Sequence, residues 1–135
     1  MALSIHDNYL ISYEVQCEAR TITLRTEYRL ENKSTEFTNV IFNGVQGYCF
    51  ENDAFGNIIF DLETVTVEQL LAEYGTKISE SYRMAGSPGP WAGNLETASG
   101  LLREQGVQGF ILFSSYGLSG WVLAREASIS PGRPH

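Results

Sequence analysis

The stretch YLISYEVQCEARTITLRTEYRL, residues 9–30, decides the fold. Apolar and polar side chains alternate over residues 9–17 and again over residues 21–30, which is the period of a β-strand. Two such runs joined by a connection as short as Glu18-Ala19 predict a β-hairpin. We expect its apolar side chains to share one face: Tyr9, Ile11, Tyr13 and Val15 with Ile22, Leu24 and Tyr28.

Three more predicted strands follow the hairpin, after a polar loop at residues 31–34. They run from Phe37 to Phe42, from Gln46 to Glu51 and from Asn57 to Leu62, with turn-forming residues between them. Sequential strands usually lie side by side, so the first five strands are predicted to form a meander.

The period then changes to that of a helix. Thr66 with Gln69 forms a capping box, and Gly75 is the predicted end. One apolar helical face follows the cap: Val67, Leu70, Leu71 and Tyr74. Residues 76–84 fit either a further strand or a second helical segment.

The remaining sequence predicts a Gly/Pro loop, a short helix and two strands. The loop spans residues 86–93 and carries Trp91, Asn94 caps the helix, and the strands are Val107 to Ser114 and Gly120 to Glu126. The predicted fold is α+β: an antiparallel sheet, made of the meander and the C-terminal strand pair, with two short helices on one face. We expect residues 1–129 to form one domain and residues 130–135 to be a disordered tail.

The formal net charge of −7 argues against a nucleic-acid partner, because phosphate binding needs a positive surface. The N-terminal residues lack the pattern of a signal peptide, and the apolar runs are too short to span a membrane. The cytoplasm is therefore the expected compartment. Cys17 and Cys49 are expected to be reduced, partly buried thiols in strands.

Candidate catalytic and metal-binding residues are few. His6 and His135 are the only histidines, and neither has the ligand spacing of a zinc site, so no metal and no cofactor is predicted. His6 and Asp7 have the side chains of an acid–base pair. We expect them instead to begin the first strand.

Binding candidates are the carboxylates near the fourth and fifth strands and one aromatic residue. Glu51, Asp53, Asp61 and Glu63 are expected to lie near one another across these strands. Trp91, on its Gly/Pro loop, is either an anchor for a partner or a lid folded over the core.

Four features stand out in the first half of the chain: His6-Asp7, the hairpin, VIFNGV at residues 40–45 and NIIFDL at residues 57–62. In these features the chain resembles small uncharacterised bacterial proteins. These are similar to immunity-type proteins of toxin–immunity systems. The resemblance covers the first half of the chain and implies an acidic cytosolic protein that binds and blocks a toxin. It assigns no functional residue.

The sequence thus predicts a non-enzymatic acidic binding protein with a basic protein partner, such as a toxin. Two alternatives stay open. One is a small enzyme that uses carboxylates or Cys49 in a pocket on the sheet. The other is an oligomeric structural protein, a homodimer, that seals an edge strand against its twin.

Overall fold

The computed structural model describes residues 5–29 and 35–133. The predicted loop at 31–34 and the last two residues of the predicted tail lie outside the described residues. The described part contains eight strands, two α-helices and one 3₁₀ turn. In chain order these are β1 Tyr9–Gln16, β2 Thr21–Arg29, β3 Thr35–Asn43, β4 Gly47–Glu51, β5 Asn57–Val65, α1 Val67–Ala85, the 3₁₀ turn Pro90–Gly93, α2 Leu95–Glu104, β6 Gln108–Tyr116, β7 Ser119–Ala124 and β8 Glu126–Pro131.

All eight strands form one antiparallel sheet in the order β4-β7-β6-β5-β1-β2-β3-β8. The two ends of this order are linked along the chain, because β3 leads into β4 through residues 44–46 and β7 leads into β8 through Arg125. Gly44 takes a positive φ of 65° in the connection from β3 to β4. The N–H of Arg125, in the connection from β7 to β8, donates to the Asn43 carbonyl at 3.0 Å. The sheet therefore curls strongly, and its inner face encloses a core.

The α+β class, the antiparallel sheet and the placement of two helices on one face are confirmed. The five-strand meander is correct only for β1 to β3. The fourth strand lies at one end of the sheet beside β7, and the fifth lies between β1 and β6. The last predicted strand is divided in two by the bend at Arg125. The resulting β8 pairs with β3 and extends to Pro131, so the predicted disordered tail is wrong for Ser130 and Pro131.

The inner face of the curled sheet holds a closed apolar core. The rings of Phe42 and Phe110 meet edge to face at 5.4 Å. Six strands contribute buried side chains: Leu10, Ile22, Leu24, Val40, Phe42, Ile59, Phe110, Leu112, Val122 and Ala124. Alternate residues of one strand point to opposite faces, so this core fixes which residues point outward.

The register of the hairpin differs from the prediction. Tyr13 lies opposite Leu24 and Val15 opposite Ile22, as expected, but the pairing shifts between Leu10 and Ser12. Beyond this bulge Leu10 is the buried residue, and Ile11 is 39% exposed. A bulge adds a residue to one strand and so reverses the faces of everything past it. The expected inward positions of Ile11 and of Tyr9, which lies opposite Glu27, are therefore wrong.

Helix α1 begins as predicted and ends later. The Thr66 hydroxyl accepts from the Gln69 N–H at 3.0 Å, which confirms the cap. Gly75 does not end the helix but lies within it and is buried. A Cβ at this position would lie 3.0 Å from Leu95 of α2. Close packing of the two helices thus explains this glycine, and residues 76–84 are helical. The helix ends at Gly86, whose φ is 72°.

The two helices cover part of the outer face of the sheet. Trp121 and Leu123 of β7 point outward and pack with α1 and α2, while Val122 points into the inner core. Asn94 caps α2 as predicted, since its side chain accepts from the Glu96 N–H at 3.1 Å. No helix of residues 5–29 and 35–133 covers the rest of the outer face.

Candidate functional site

Three exposed aromatic side chains lie on the outer face of β5 and β6, beyond the helices. Phe60 is 52% exposed, Phe113 36% and Tyr116 60%. Their neighbours Ile59 and Leu112 point inward to the core, and Tyr116 lies opposite Ile58 in the ladder. We call Phe60, Phe113 and Tyr116 the aromatic strip.

Two ladder irregularities shape the strip. Ile58 pairs with Tyr116 and Ile59 with Ser114, so Ser115 is an extra residue on β6. Asp61 then pairs with Phe113, so Phe60 is an extra residue on β5. Bulges of this kind re-aim a side chain and increase the local twist. The bulge is therefore a local feature that turns an aromatic ring toward solvent.

The pair His6-Asp7 lies beside the strip. The His6 ring meets the Phe60 ring edge to face at 5.2 Å, and its Nδ1 contacts the Phe60 carbonyl. The Asp7 N–H donates to Ile59 O at 2.9 Å. These contacts attach the segment before β1 to the bulge in β5. His6 and Asp7 thus have a structural role in joining these two parts of the chain.

Two of the predicted binding carboxylates lie next to the strip. Asp61 is half-buried and opposite Phe113, and its Oδ1 accepts from the Leu62 N–H at 2.9 Å. Glu63 is exposed and opposite Ile111. The uncovered part of the outer face therefore combines aromatic rings with negative charge.

Glu51 lies apart from these two carboxylates. It ends β4 opposite Ser119, and its carboxylate is 3.9 Å from Lys77 Nζ. Strands β7 and β6 lie between β4 and β5, a separation of about 14 Å at the usual strand spacing. The prediction that Glu51 lies near Asp61 and Glu63 is therefore wrong, because it assumed that β4 and β5 are neighbours.

Asp53 organises the turn between β4 and β5. Its carboxylate accepts from Asn57 Nδ2 at 2.9 Å, from the Phe55 N–H at 2.8 Å and from the Tyr13 hydroxyl at 3.0 Å. These hydrogen bonds, that from Asn57 first, hold the pKa of Asp53 below its ordinary value. The carboxylate is thus committed to internal contacts.

Trp91 is half-buried against the helical core. Its indole N–H donates to the Gln46 carbonyl at 3.3 Å, and its ring covers Gly47, whose added Cβ would lie 3.2 Å from it. Trp91 thus lies folded over the core, as the lid alternative predicts, and does not project as an anchor for a partner.

A groove of about 350 Å³ lies between β4, β7 and α1. Trp121 and Tyr74 form its floor, with ring centroids 6.4 Å apart. Tyr48 also lines the groove, and the ion pair of Glu51 and Lys77 lies at the rim. The groove combines an apolar floor with two opposite charges.

The two cysteines have different surroundings. Cys17 follows β1 in an exposed turn, so its predicted burial in a strand is wrong. Cys49 is in β4, half-buried in the groove. Burial raises the pKa of the Cys49 thiol, and the Glu51 carboxylate 3.8 Å away raises this pKa further. This thiol is poorly suited to act as a nucleophile, because the thiolate is the reactive form.

Among residues 5–29 and 35–133, no group of three or more His, Cys, Asp and Glu side chains is arranged to hold a metal ion. No helix in the same ranges combines the length and the apolarity needed to cross a membrane.

Sequence reasoning missed the aromatic strip, and of the groove it named only Cys49 and Glu51. The signal for the strip is the unbroken apolar run at residues 58–60 and again at 110–113, which places apolar side chains on both faces of a strand. The groove depends on β4 lying beside β7 and α1, and no local pattern reports that.

Comparison with protein-family models, with curated proteins and with solved structures found no match to this chain.

Proposed function

We propose that this chain is a non-enzymatic binding protein that docks a basic protein through the aromatic strip and the adjoining carboxylates Asp61 and Glu63. The observation that carries the proposal is the exposure of three large aromatic side chains on a section of sheet that no helix covers. Exposed apolar patches of this kind mark interaction sites more often than scattered single residues do.

The chemistry of the strip suits a protein partner. Aromatic side chains dominate the binding energy of interfaces, because they bury a large area at a small cost in conformational entropy. Asp61 and Glu63 beside them would attract a positive partner and speed its association. The net charge of −7 acts in the same direction over a longer range.

Charge pairing within the hairpin favours a basic protein over nucleic acid as the partner. Arg25 lies 4.0 Å from Glu14, and Arg29 lies 2.7 Å from Glu27. These guanidinium groups are thus partly neutralised by neighbouring carboxylates. An immunity-type role, in which this protein acts in the cytoplasm and blocks a basic toxin, is the most specific form of the proposal.

The enzyme alternative has less support. Cys49 lies in a groove, but its pKa is raised, and the acids of β4 and β5 are separated by two strands. The homodimer alternative would pair an end strand of the sheet, β4 or β8, with that of a second copy. Self-association through the aromatic strip is an outcome of the following test.

Site-specific photo-crosslinking tests the proposal. A photoreactive phenylalanine analogue replaces Tyr116 in one variant and Leu101 in another, and both are expressed in the source cells. Leu101 is a matched control, because it is 51% exposed but lies on α2, away from the strip. We expect position 116 alone to crosslink one basic protein. Crosslinking to a second copy of this chain, or identical products at both positions, would contradict the proposal.

A further inference from the structure

We propose that the groove between β4, β7 and α1 binds a small zwitterion with an apolar side chain, of the class of a free α-amino acid. The groove is a different site from the aromatic strip, because β4 and β5 are separated by two strands. Its volume of about 350 Å³ is within the range of small-molecule sites.

The floor of the groove is apolar and already ordered. Trp121 is 6% exposed and Ile78 2%, and both belong to the helical core. Tyr74 packs beside Trp121 and is half-buried. An apolar ligand side chain would lie on this floor without any rearrangement of the core.

The rim carries one charge of each sign. Glu51 Oε2 and Lys77 Nζ are 3.9 Å apart, with their side chains 52% and 72% exposed. An exposed ion pair at this distance contributes little stability, so its two members separate at small cost. A ligand ammonium beside Glu51 and a ligand carboxylate beside Lys77 would replace one weak pair with charge-assisted hydrogen bonds.

This pairing of charges selects among ligand classes. A simple cation would be attracted by Glu51 and repelled by Lys77. A simple anion would be attracted by Lys77 and repelled by Glu51. A zwitterion uses both charges at once, and an α-amino acid holds its two charged groups within a few bonds of each other. The hydroxyls of Ser81, Ser87 and Ser119 also line the groove and offer neutral hydrogen bonds.

Isothermal titration calorimetry with three probes tests the ligand class. The probes are L-phenylalanine, L-phenylalaninamide, which lacks the carboxylate, and N-acetyl-L-phenylalanine, which lacks the ammonium. We expect saturable binding of L-phenylalanine and about tenfold weaker binding of each blocked probe, as one lost charge-assisted contact implies. Equal affinity for all three probes, or no binding of L-phenylalanine up to its solubility limit, would overturn the proposal.

Two variants test the residues. Glu51→Gln should weaken L-phenylalanine binding and abolish the preference over the N-acetyl probe, and Lys77→Met should abolish the preference over the amide. Glu68→Gln is the control, because it breaks a comparable pair, 3.0 Å from Arg103, at the other end of α1. Thermal unfolding verifies that all three variants fold. Preferences that survive in both groove variants would contradict the assignment.

Discussion

The two halves of β6 differ in what covers them. In the first half, inward Phe110 and Leu112 and outward Ile111 are all no more than 4% exposed, because the core lies on one side and the helices on the other. In the second half the outward Phe113 and Tyr116 are 36% and 60% exposed. One strand thus carries a section with two buried faces and a section with one.

This difference separates stability from recognition. The inner face is complete without the strip, and even its polar groups are paired: Asn8 donates to the Thr26 hydroxyl at 2.9 Å, and Thr26 donates to the Thr38 carbonyl at 2.7 Å. No buried side-chain nitrogen or oxygen in the described residues lacks a hydrogen-bond partner. The inner core is therefore closed without the rings of the strip, and under the proposed function a partner would cover them.

The largest effect that we expect comes from exchanging an inner ring for alanine. Phe42→Ala should lower the free energy of unfolding by about 3–5 kcal/mol, since it leaves a cavity beside Phe110. Phe60→Ala, on the outer face, should stay within about 1 kcal/mol of the wild type. Urea denaturation measures both, and comparable losses in the two variants would remove the contrast between the faces.

A smaller loss is expected at the β4–β5 and β6–β7 turns, which the Asn57 side chain joins. The Asn57 side chain is buried, and its Oδ1 accepts from the Ala54 N–H at 3.0 Å and from the Leu118 N–H at 2.8 Å. Asn57→Ala removes this shared acceptor, so stability should fall by about 1–3 kcal/mol. A urea midpoint for Asn57→Ala equal to that of the wild type would contradict this, because it would show that the turns are stable without the Asn57 side chain.

The smallest effect concerns pH. The pKa of Asp53 is below its ordinary value in the folded protein, so its contribution is present above the unfolded pKa, about 3.9, and is lost as pH falls through the folded pKa. The stability difference between the wild type and Asp53→Asn should therefore shrink on acidification. Urea denaturation at a series of pH values measures this difference. A constant or growing difference would show that the carboxylate is not held in its charged form.

Local patterns predicted the elements well and their arrangement poorly. Alternation predicted the hairpin, and the capping residues Thr66 and Asn94 were read correctly, because caps depend on neighbouring residues alone. Gly75 was misread as a helix end, since a glycine buried by close helix packing has the same sequence signature as a C-cap. The bulges at Ile11 and Phe60 have no local signal, and they decide which side chains face outward.

The candidate site was predicted only in part. Asp61 and Glu63 were identified as binding candidates, and they lie together beside the strip. Glu51 and Asp53 were grouped with them because β4 and β5 are consecutive in sequence. That assumption fails because β4 pairs with β7, and β7 and β6 lie between β4 and β5. Pairing over such long sequence distances depends on the whole chain.

The affinity for the basic protein crosslinked at position 116 tests the central claim most directly. We compare the wild type with the double variant Phe60→Ser and Tyr116→Ser, and with the control Leu101→Ser, by surface-based kinetics. We expect at least about thirtyfold weaker binding for the double variant, equivalent to the loss of one interface hot spot, and wild-type binding for the control. Wild-type affinity in the double variant, with its fold intact, would contradict the assignment of the aromatic strip as the binding surface.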